Sequence, residues 1–426
     1  MSDGTGVSGR SGAALGAGLG PAARLRGKRL MIYLKPGESG ARLVDRSAHR
    51  QYWLNEARVD ALARTQAPKG TLPGGSRAWS LWRNERATRR ELRRLGLLRV
   101  VEDEGVGLAV QSTPLARLFV EVTNRCNLHC AHCYGSFGAG SHTDLEPEAL
   151  QPLVSDAVRC GLEHLDFTGG EPMMNPRFPE FLELADSLSL RTTVFTNLTA
   201  RSDALVSSVL AYRVERVITS LESTNPAVHD EFRGRAGAFA DTMVAMRHLQ
   251  DLGVPVTVNV VVGRHNEDDV IRSVGELRER GFAVHVDFML SEGRASSRLM
   301  ASSGGRARLM KWLIEQESPN AEHAGHMRPG CGVAESFVFV TSGGRIVLCP
   351  SLRSTAFEVA SLDAAPRFEE VAARTCGLLS RIACREKCPV GAYCRGGCRA
   401  RALANYGTIA GCDQDVREAM EVLNAR

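Results

Sequence analysis

The spacing of apolar and polar positions changes several times along this chain of 426 residues. Residues 1–28 carry no period: Gly, Ala and Ser dominate runs such as Ala14-Leu-Gly-Ala-Gly-Leu-Gly20, which reads as a disordered arm. From Arg29 short apolar runs begin. Leu30 to Leu34, Ala41 to Val44 and Gln51 to Leu54 read as strands, and Glu56 to Arg64 as a helix with Val59, Leu62 and Ala63 on one face. A Pro- and Gly-rich loop, a helix from about Trp79 to Leu95 and a closing strand at Leu97 to Val101 complete the set. Residues 29–105 therefore predict a small winged-helix-like α+β domain.

From Arg117 onward strand and helix patterns alternate. Strand-like runs fall at Leu118 to Thr123, His164 to Thr168, Thr192 to Thr196, Arg216 to Leu221, Val254 to Val262 and Val284 to Leu290. Helical runs separate them at Glu146 to Cys160, Pro179 to Ser187, Ala204 to Tyr212, Phe239 to Leu252 and Asp268 to Arg280. Such alternation predicts right-handed βα units, so residues 115–295 read as a partial (β/α)6 TIM-type barrel, with chemistry at the C-terminal ends of its strands. A polar connector over residues 291 to about 330 leads into a cysteine-rich domain, residues 325–426, with a hairpin at Phe337 to Val340 and Arg345 to Leu348.

The length suits two or three domains, and with 43% hydrophobic and 24% charged residues the class is α/β and globular. No apolar run approaches the roughly 18 residues of a membrane span, and no basic and apolar export signal opens the chain, so a cytoplasmic protein is expected. A net charge of +5 does not by itself imply nucleic acid. One helix is locally basic, with eight arginines between Arg77 and Arg99. Three readings fit it: a solvated face, a DNA-reading helix, or a groove in which an acidic peptide adds as a strand.

Twelve cysteines without an export signal argue for metal or thiol chemistry rather than disulfides. They are clustered, four before residue 161 and eight after residue 330. Cys126, Cys130 and Cys133 follow the first barrel strand in Cys-Asn-Leu-His-Cys-Ala-His-Cys, spaced to hold three corners of a cubane iron-sulfur cluster with one iron open. A structural zinc site would need His129 or His132 as a fourth ligand. Cys160, on a helix face, reads as a small core residue.

The Cys-x3-Cys-x2-Cys motif followed by Tyr134 resembles the signature of the radical S-adenosylmethionine (SAM) superfamily. The likeness runs from about residue 115 to 295 and includes Gly169-Gly170-Glu171-Pro172 at the end of the second strand. It implies a [4Fe-4S] cluster on the three cysteines and SAM on its open iron, with the backbone of Gly169 to Pro172 holding the methionine amino group. Asn197 lies in Phe-Thr-Asn-Leu-Thr, similar to the family's Thr-Asn-Gly but with Leu198 where Gly is usual. Ser220-Leu-Glu222 stands where the family shows Ser-x-Asp, which puts Glu222 near the ribose hydroxyls. His229-Asp-Glu-Phe-Arg233-Gly matches the segment whose arginine pairs with the SAM carboxylate, a role suited to a planar fork. Val261, within Val260 to Val262, is a candidate wall for adenine, and Arg294 in Gly293-Arg-Ala295 a further site candidate.

Cys331, Gly344, Cys349, Cys384, Cys388, Cys394, Cys398 and Cys412 resemble the SPASM extension, named for subtilosin, pyrroloquinoline quinone, anaerobic sulfatase and mycofactocin maturation. The resemblance implies two auxiliary [4Fe-4S] clusters. Cys384, Cys388, Cys394 and Cys412 would complete one, and Cys331, Cys349 and Cys398 would share the other, with Cys376 or an open iron filling its last position. Zinc is the competing metal for these thiols. The order of elements around Tyr52-Trp-Leu-Asn55 looks like the peptide-recognition element of ribosomal-peptide maturases.

The function implied is a radical SAM peptide maturase. Cleavage of SAM gives a 5′-deoxyadenosyl radical, which takes hydrogen from a residue of a precursor peptide so that a C–S or C–C cross-link forms. The implied partners are that peptide, held by its leader on the N-terminal domain, and an electron donor such as flavodoxin or ferredoxin. Peptide epimerisation, chemistry on a small molecule and a zinc-bearing winged-helix regulator are the alternatives. Sulfatase maturation fits less well, because Pro350 stands where that group carries an aspartate base.

Overall fold

Six apolar runs of five to seven residues, rich in Val, Phe and Thr, become the strands that organise the larger part of the molecule. The computed structural model describes residues 30–34, 40–45, 50–55, 90, 92–94, 106–110, 115–138, 140–200, 202–212, 214–316, 337–379 and 397–413. Two units divide the chain, residues 1–113 with 156–161, and residues 114–155 with 162–426.

In the first unit β1 (Leu30–Leu34), β2 (Gly40–Asp45), β3 (Arg50–Asn55) and β4 (Val106–Val110) form a sheet of order β3-β2-β1-β4. β1 runs antiparallel to β2 and parallel to β4, with Leu30 opposite Val106. The first three strands fall where the apolar runs put them. β4 lies beyond the 29–105 span, because Val-Gly-Leu-Ala-Val has weak strand propensity and is fixed by its pairing with β1. The expected helix at 56–64 and strand at 97–101 lie outside the described residues; Arg90 and residues 92–94 of the basic helix are helical.

In the second unit β5 (Arg117–Glu121), β6 (His164–Thr168), β7 (Arg191–Phe195), β8 (Arg216–Ser220), β9 (Val256–Val262) and β10 (Ala283–Phe288) pair in sequence order, all parallel. Between them run α1 (Pro147–Arg159), α2 (Phe178–Ser187), α3 (Ser202–Ala211), α4 (Pro226–Arg233), α5 (Ala238–Asp251) and α6 (Val270–Glu279). This is a partial TIM-type barrel. β9 shows its pattern: Val256, Val258, Val260 and Val262 are buried, while Thr257, Asn259 and Val261 alternate on the other, half-buried face. Behind β6, Phe167 packs edge-to-face on Phe178 and Phe181 at 5.9 and 5.8 Å.

Two helices were hidden from the periodic pattern. α4 is only eight residues long; Asn225 caps it by accepting from Ala227 N–H, Pro226 starts it, and Gly234 at φ 67° ends it. α7 (Ser303–Gln316) occupies part of the stretch read as a polar connector, its early glycines, Gly304 and Gly305, disguising a helix.

The hairpin was foreseen, but its place was not. β11 (Phe337–Val340) lies parallel on the free edge of β5, Leu118 opposite Val338, and β12 (Arg345–Val347) and β13 (Glu358–Ser361) extend the sheet antiparallel to nine strands. α8 (Phe368–Leu379) and α9 (Arg399–Tyr406) complete the described elements. Among the described residues no helix is long and apolar enough to cross a membrane.

Candidate active site

A cavity of about 510 Å³ opens at the C-terminal ends of the barrel strands, and Cys126, Cys130 and Cys133 all line it. The loop that carries them has no regular structure, so its backbone groups are satisfied by its neighbours. Behind it Gly170 N–H donates to Thr123 O and Glu171 N–H to Arg125 O. A Cβ on Gly170 would overlap the Arg125 carbonyl, so this approach of β6 to the loop requires glycine. On another side His129 and Ala131 N–H donate to Arg233 O and Phe232 O, two carbonyls left open at the end of α4. From the third side Arg294 donates through its backbone N–H to Cys133 O, through Nε to Cys130 O and through Nη1 to Phe137 O.

Each thiol sulfur accepts an N–H. Arg233 Nη1 donates to Cys130 Sγ at 3.4 Å, Phe137 N to Cys133 Sγ at 3.3 Å and Asn197 Nδ2 to Cys126 Sγ at 3.9 Å. Burial pushes the Cys126 thiol up to about 12 and raises Cys133 as well, so a cation is needed to hold either as thiolate at neutral pH. Among the described residues no three His, Cys, Asp or Glu side chains are grouped as a single metal ion requires. A cubane gives each thiolate its own iron, so these three thiols, with N–H donors on their sulfurs and a cavity before them, fit an iron-sulfur cluster.

Gly169, Gly170, Tyr134, Asn197, Ser220, Arg233 and Val261 line the same cavity. Glu171 turns away from it. Its carboxylate accepts from Thr196 Oγ1, Asn197 N–H and Met173 N–H, joining the ends of β6 and β7, and Pro172 starts the short turn it caps. Burial, opposed by those hydrogen bonds, raises Glu171 to about 7 from the ordinary 4.5. The folded carboxyl thus titrates above its unfolded value, and its contribution to stability is fully present below pH 4.5 and lost as pH rises through about 7. Glu171→Gln keeps an oxygen acceptor and is expected to flatten the fall in urea midpoint that the wild type shows between about pH 5 and pH 8.

Leu198 keeps the tight turn that a glycine usually makes, at φ 59° and 2% exposed. The left-handed backbone costs roughly 1–2 kcal/mol, which burying the leucine side chain offsets. Around it Thr199 N–H donates to Asn197 Oδ1, and Asn197 Nδ2 to Asn127 Oδ1 in the cysteine loop. Glu222 is fully buried outside the cavity wall. It accepts from Arg233 Nη2 at 2.7 Å and from Val261 N–H at 3.1 Å, so the arginine fork is shared between a carboxylate and the Cys130 sulfur, and its buried Nε has no partner among the described residues.

Of the C-terminal cysteines, Cys349 and Cys398 also line the cavity, Cys412 lies next to the buried Asp413, and Cys376 sits on α8, where burial raises its thiol. Cys331, Cys384, Cys388 and Cys394 are outside the described residues. Cys160 is buried just past α1.

Several cavity residues escaped the sequence reading. Asn259 stands two positions before Val261 on β9, and the alternation of a strand puts both on one face. Asp287 lines the wall near His285, which hydrogen-bonds Asn259 at 3.1 Å. Although burial acts to raise it, His285 and Arg401 hold Asp287 below the usual carboxylate range. Behind the lining, and also not singled out from the sequence, Arg353 pairs with the buried Glu121 at the end of β5 at 2.7 and 2.9 Å and lies 5.7 Å over Tyr134. His132, named from the sequence only as a possible zinc ligand, lines the cavity and stacks on Phe232, and burial next to Arg233 keeps it neutral.

Residues 120–290 match the family model of the radical SAM superfamily. The chain carries a radical SAM domain. Similar proteins include an AdoMet-dependent heme synthase of Methanosarcina barkeri, 26% identical over 330 residues, which are 67% of this chain and 92% of that protein. The sporulation killing factor maturation protein SkfB of Bacillus subtilis is 27% identical over 281 residues, 63% of this chain and 67% of that one. In fold, the radical SAM chain resembles SuiB of Streptococcus suis, solved with its precursor peptide SuiA, at a TM-score of 0.58 and 14% identity, over 91% of this chain and 98% of SuiB.

Proposed function

We propose that this chain is a radical SAM peptide maturase that installs a C–S or C–C cross-link in a ribosomally made precursor peptide. The observation that carries the reading is that Cys126, Cys130 and Cys133 line the same cavity as Cys349 and Cys398, so a residue held there would meet both groups. SkfB is named as a maturation protein and SuiB was solved with a precursor peptide, which supports a peptide as substrate.

Cys126, Cys130 and Cys133 would hold the [4Fe-4S] cluster, and SAM on its open iron supplies, when reduced, the radical that takes a hydrogen atom. The protein's own residues bind and orient. Gly169 and Gly170 bring backbone close to the SAM methionine, Tyr134, Ser220, Asn197 and Val261 shape the wall, and Arg233 offers Nε while Glu222 holds its other edge. Glu171 and Pro172 act from behind by fixing the turn.

Cross-linking removes two hydrogens from the peptide, one as an atom and one as a proton and an electron. Cys331, Cys349, Cys384, Cys388, Cys394, Cys398 and Cys412 would hold two auxiliary clusters that take that electron. Asp287 lines the cavity and would be the carboxylate that takes the proton. The leader of the peptide binds the N-terminal domain, the first electron comes from a carrier such as flavodoxin or ferredoxin, and the reaction takes place in the cytoplasm, where thiols stay reduced.

The heme synthase match spans 92% of that protein and favours a second reading, chemistry on a tetrapyrrole. One experiment separates the two: anaerobic reconstitution, SAM, reductant, and either short peptides encoded beside the gene or a haem precursor, followed by mass spectrometry. Loss of two hydrogens from a peptide is the expected result. Unchanged peptide mass with deuterium uptake would mean epimerisation, and turnover of the tetrapyrrole alone would overturn the peptide reading.

A further inference from the structure

The half of the cysteine loop that carries Cys133 is bridged by one side chain from outside the loop, that of Arg294. The first half has several anchors: His129 and Ala131 on the end of α4, and Asn127 on Asn197. The second half has local bonds, Cys133 N–H to Cys130 O at 3.3 Å, Ser136 N–H to Cys133 O at 3.2 Å and Phe137 N–H to Cys133 Sγ at 3.3 Å, its end is tied by Gly138 N–H to Asn124 O at 3.3 Å, and it also leans on the segment after β10. There Gly293 adopts φ 58° and lies so close that a Cβ would overlap the carbonyl oxygens of Cys133 and Tyr134. The next residue, Arg294, ties Cys130 O at 2.9 Å, Phe137 O at 2.7 Å and, through its backbone, Cys133 O at 3.0 Å.

From this geometry we infer that Arg294 is the positioning residue of the cluster loop: it fixes where Cys130 and Cys133 stand and sets a permanent cation beside them that favours reduction of the bound cluster. The positioning follows from the fork. A guanidinium bonds two carbonyls seven residues apart in a fixed plane, whereas a lysine ammonium reaches one at a time on a flexible stem. The charge effect follows from sign. Reduction adds an electron to a centre already bearing three thiolates, and a part-buried guanidinium a few bonds away lowers the energy of the reduced form. Arg233 does the same by direct contact with Cys130 Sγ, and Arg294 does it through the backbone. Glu292, two residues earlier, accepts from Ser351 Oγ at 2.7 Å, so the segment that grips the radical-generating loop also meets the loop after Cys349.

The test uses the full-length, anaerobically reconstituted protein and needs no peptide substrate. Wild type, Arg294→Ala and Arg294→Lys are compared by iron content, by the electron paramagnetic resonance of the reduced protein with and without SAM, and by the midpoint potential of the SAM-responsive signal. A cluster that takes SAM on an open iron changes its spectrum when SAM is added, and Cys130→Ala measured alongside assigns that signal to the loop, since an auxiliary cluster with an open iron would keep it. Arg294→Ala is expected to broaden or lose the SAM-responsive signal, lower its potential, and slow 5′-deoxyadenosine formation about tenfold to a hundredfold. Arg294→Lys is expected to restore the potential more than the line shape, since it returns the charge and not the fork. If Arg294→Ala keeps the wild-type spectrum and potential, the inference is wrong. Should Arg294→Ala lose all its iron, Arg294→Lys decides, and a lysine enzyme identical to wild type in both spectrum and potential would overturn it. A wild-type protein lacking any SAM-responsive signal would instead overturn the cluster assignment itself.

Discussion

Replacing Cys130 by alanine should reduce 5′-deoxyadenosine formation to below about one hundredth of the wild-type rate. Cys130 is the most buried of the three loop thiols, and its sulfur is the one that takes the Arg233 Nη1 donor. On the proposed assignment, removing it would delete a corner of the cluster site and strip Arg233 of one partner, so both cluster retention and the geometry around SAM would fail together. Iron bound through the C-terminal cysteines should remain, and the absorption spectrum should fall by part and not to nothing. Cys160→Ala is the control, because Cys160 does not line the cavity. Wild-type cleavage by Cys130→Ala would refute the assignment of the loop.

The second large effect is on stability. Glu222 is 0% exposed and Arg233 6%, and they form one hydrogen-bonded ion pair. Burial raises the Glu222 carboxyl, which Arg233 and the Val261 N–H oppose. Glu222→Ala leaves a guanidinium in the interior with no carboxylate, a change that costs about 3–5 kcal/mol. Glu222→Gln keeps acceptor and volume and should cost less, about 1–3 kcal/mol. Urea unfolding of the metal-free protein measures both without interference from the cluster. A loss under about 1 kcal/mol for the alanine variant would mean that Arg233 finds water instead, and that the pair is not the buried link described here.

Most of the barrel was legible because its strands are near-continuous apolar runs and its longer helices keep a steady period. What stayed hidden was hidden for physical reasons. α4 is too short to show a period and is written in caps, Asn225, Pro226 and Gly234, while α7 opens on Gly304 and Gly305. The motif residues could be named from the sequence, whereas their orientation could not. Glu171 stands in a motif that faces the cavity, yet its carboxylate turns back to Thr196 and Asn197, because a buried acid goes where the N–H and O–H donors are. Glu222 has one methylene more than the aspartate usual at that place, and it lies beneath the strand end bonded to Arg233 and Val261. Leu198 shows that a non-glycine can hold a left-handed turn where its side chain is buried. Asp287 and Asn259 belong to no motif, and only their convergence on the cavity from separate strands distinguishes them.

The hairpin on β5 has a practical consequence for anyone wishing to shorten the protein. Since β11 supplies the hydrogen-bond partners of the first barrel strand, the C-terminal region is a wall of the barrel and not an appendage to it. Cutting the chain before Phe337 would uncover the backbone of Leu118 to Val120, a flat apolar edge that invites a second molecule to pair there. A minimal radical-generating fragment is therefore expected to aggregate, and exchange of this tail for that of a relative has to carry β11 with it.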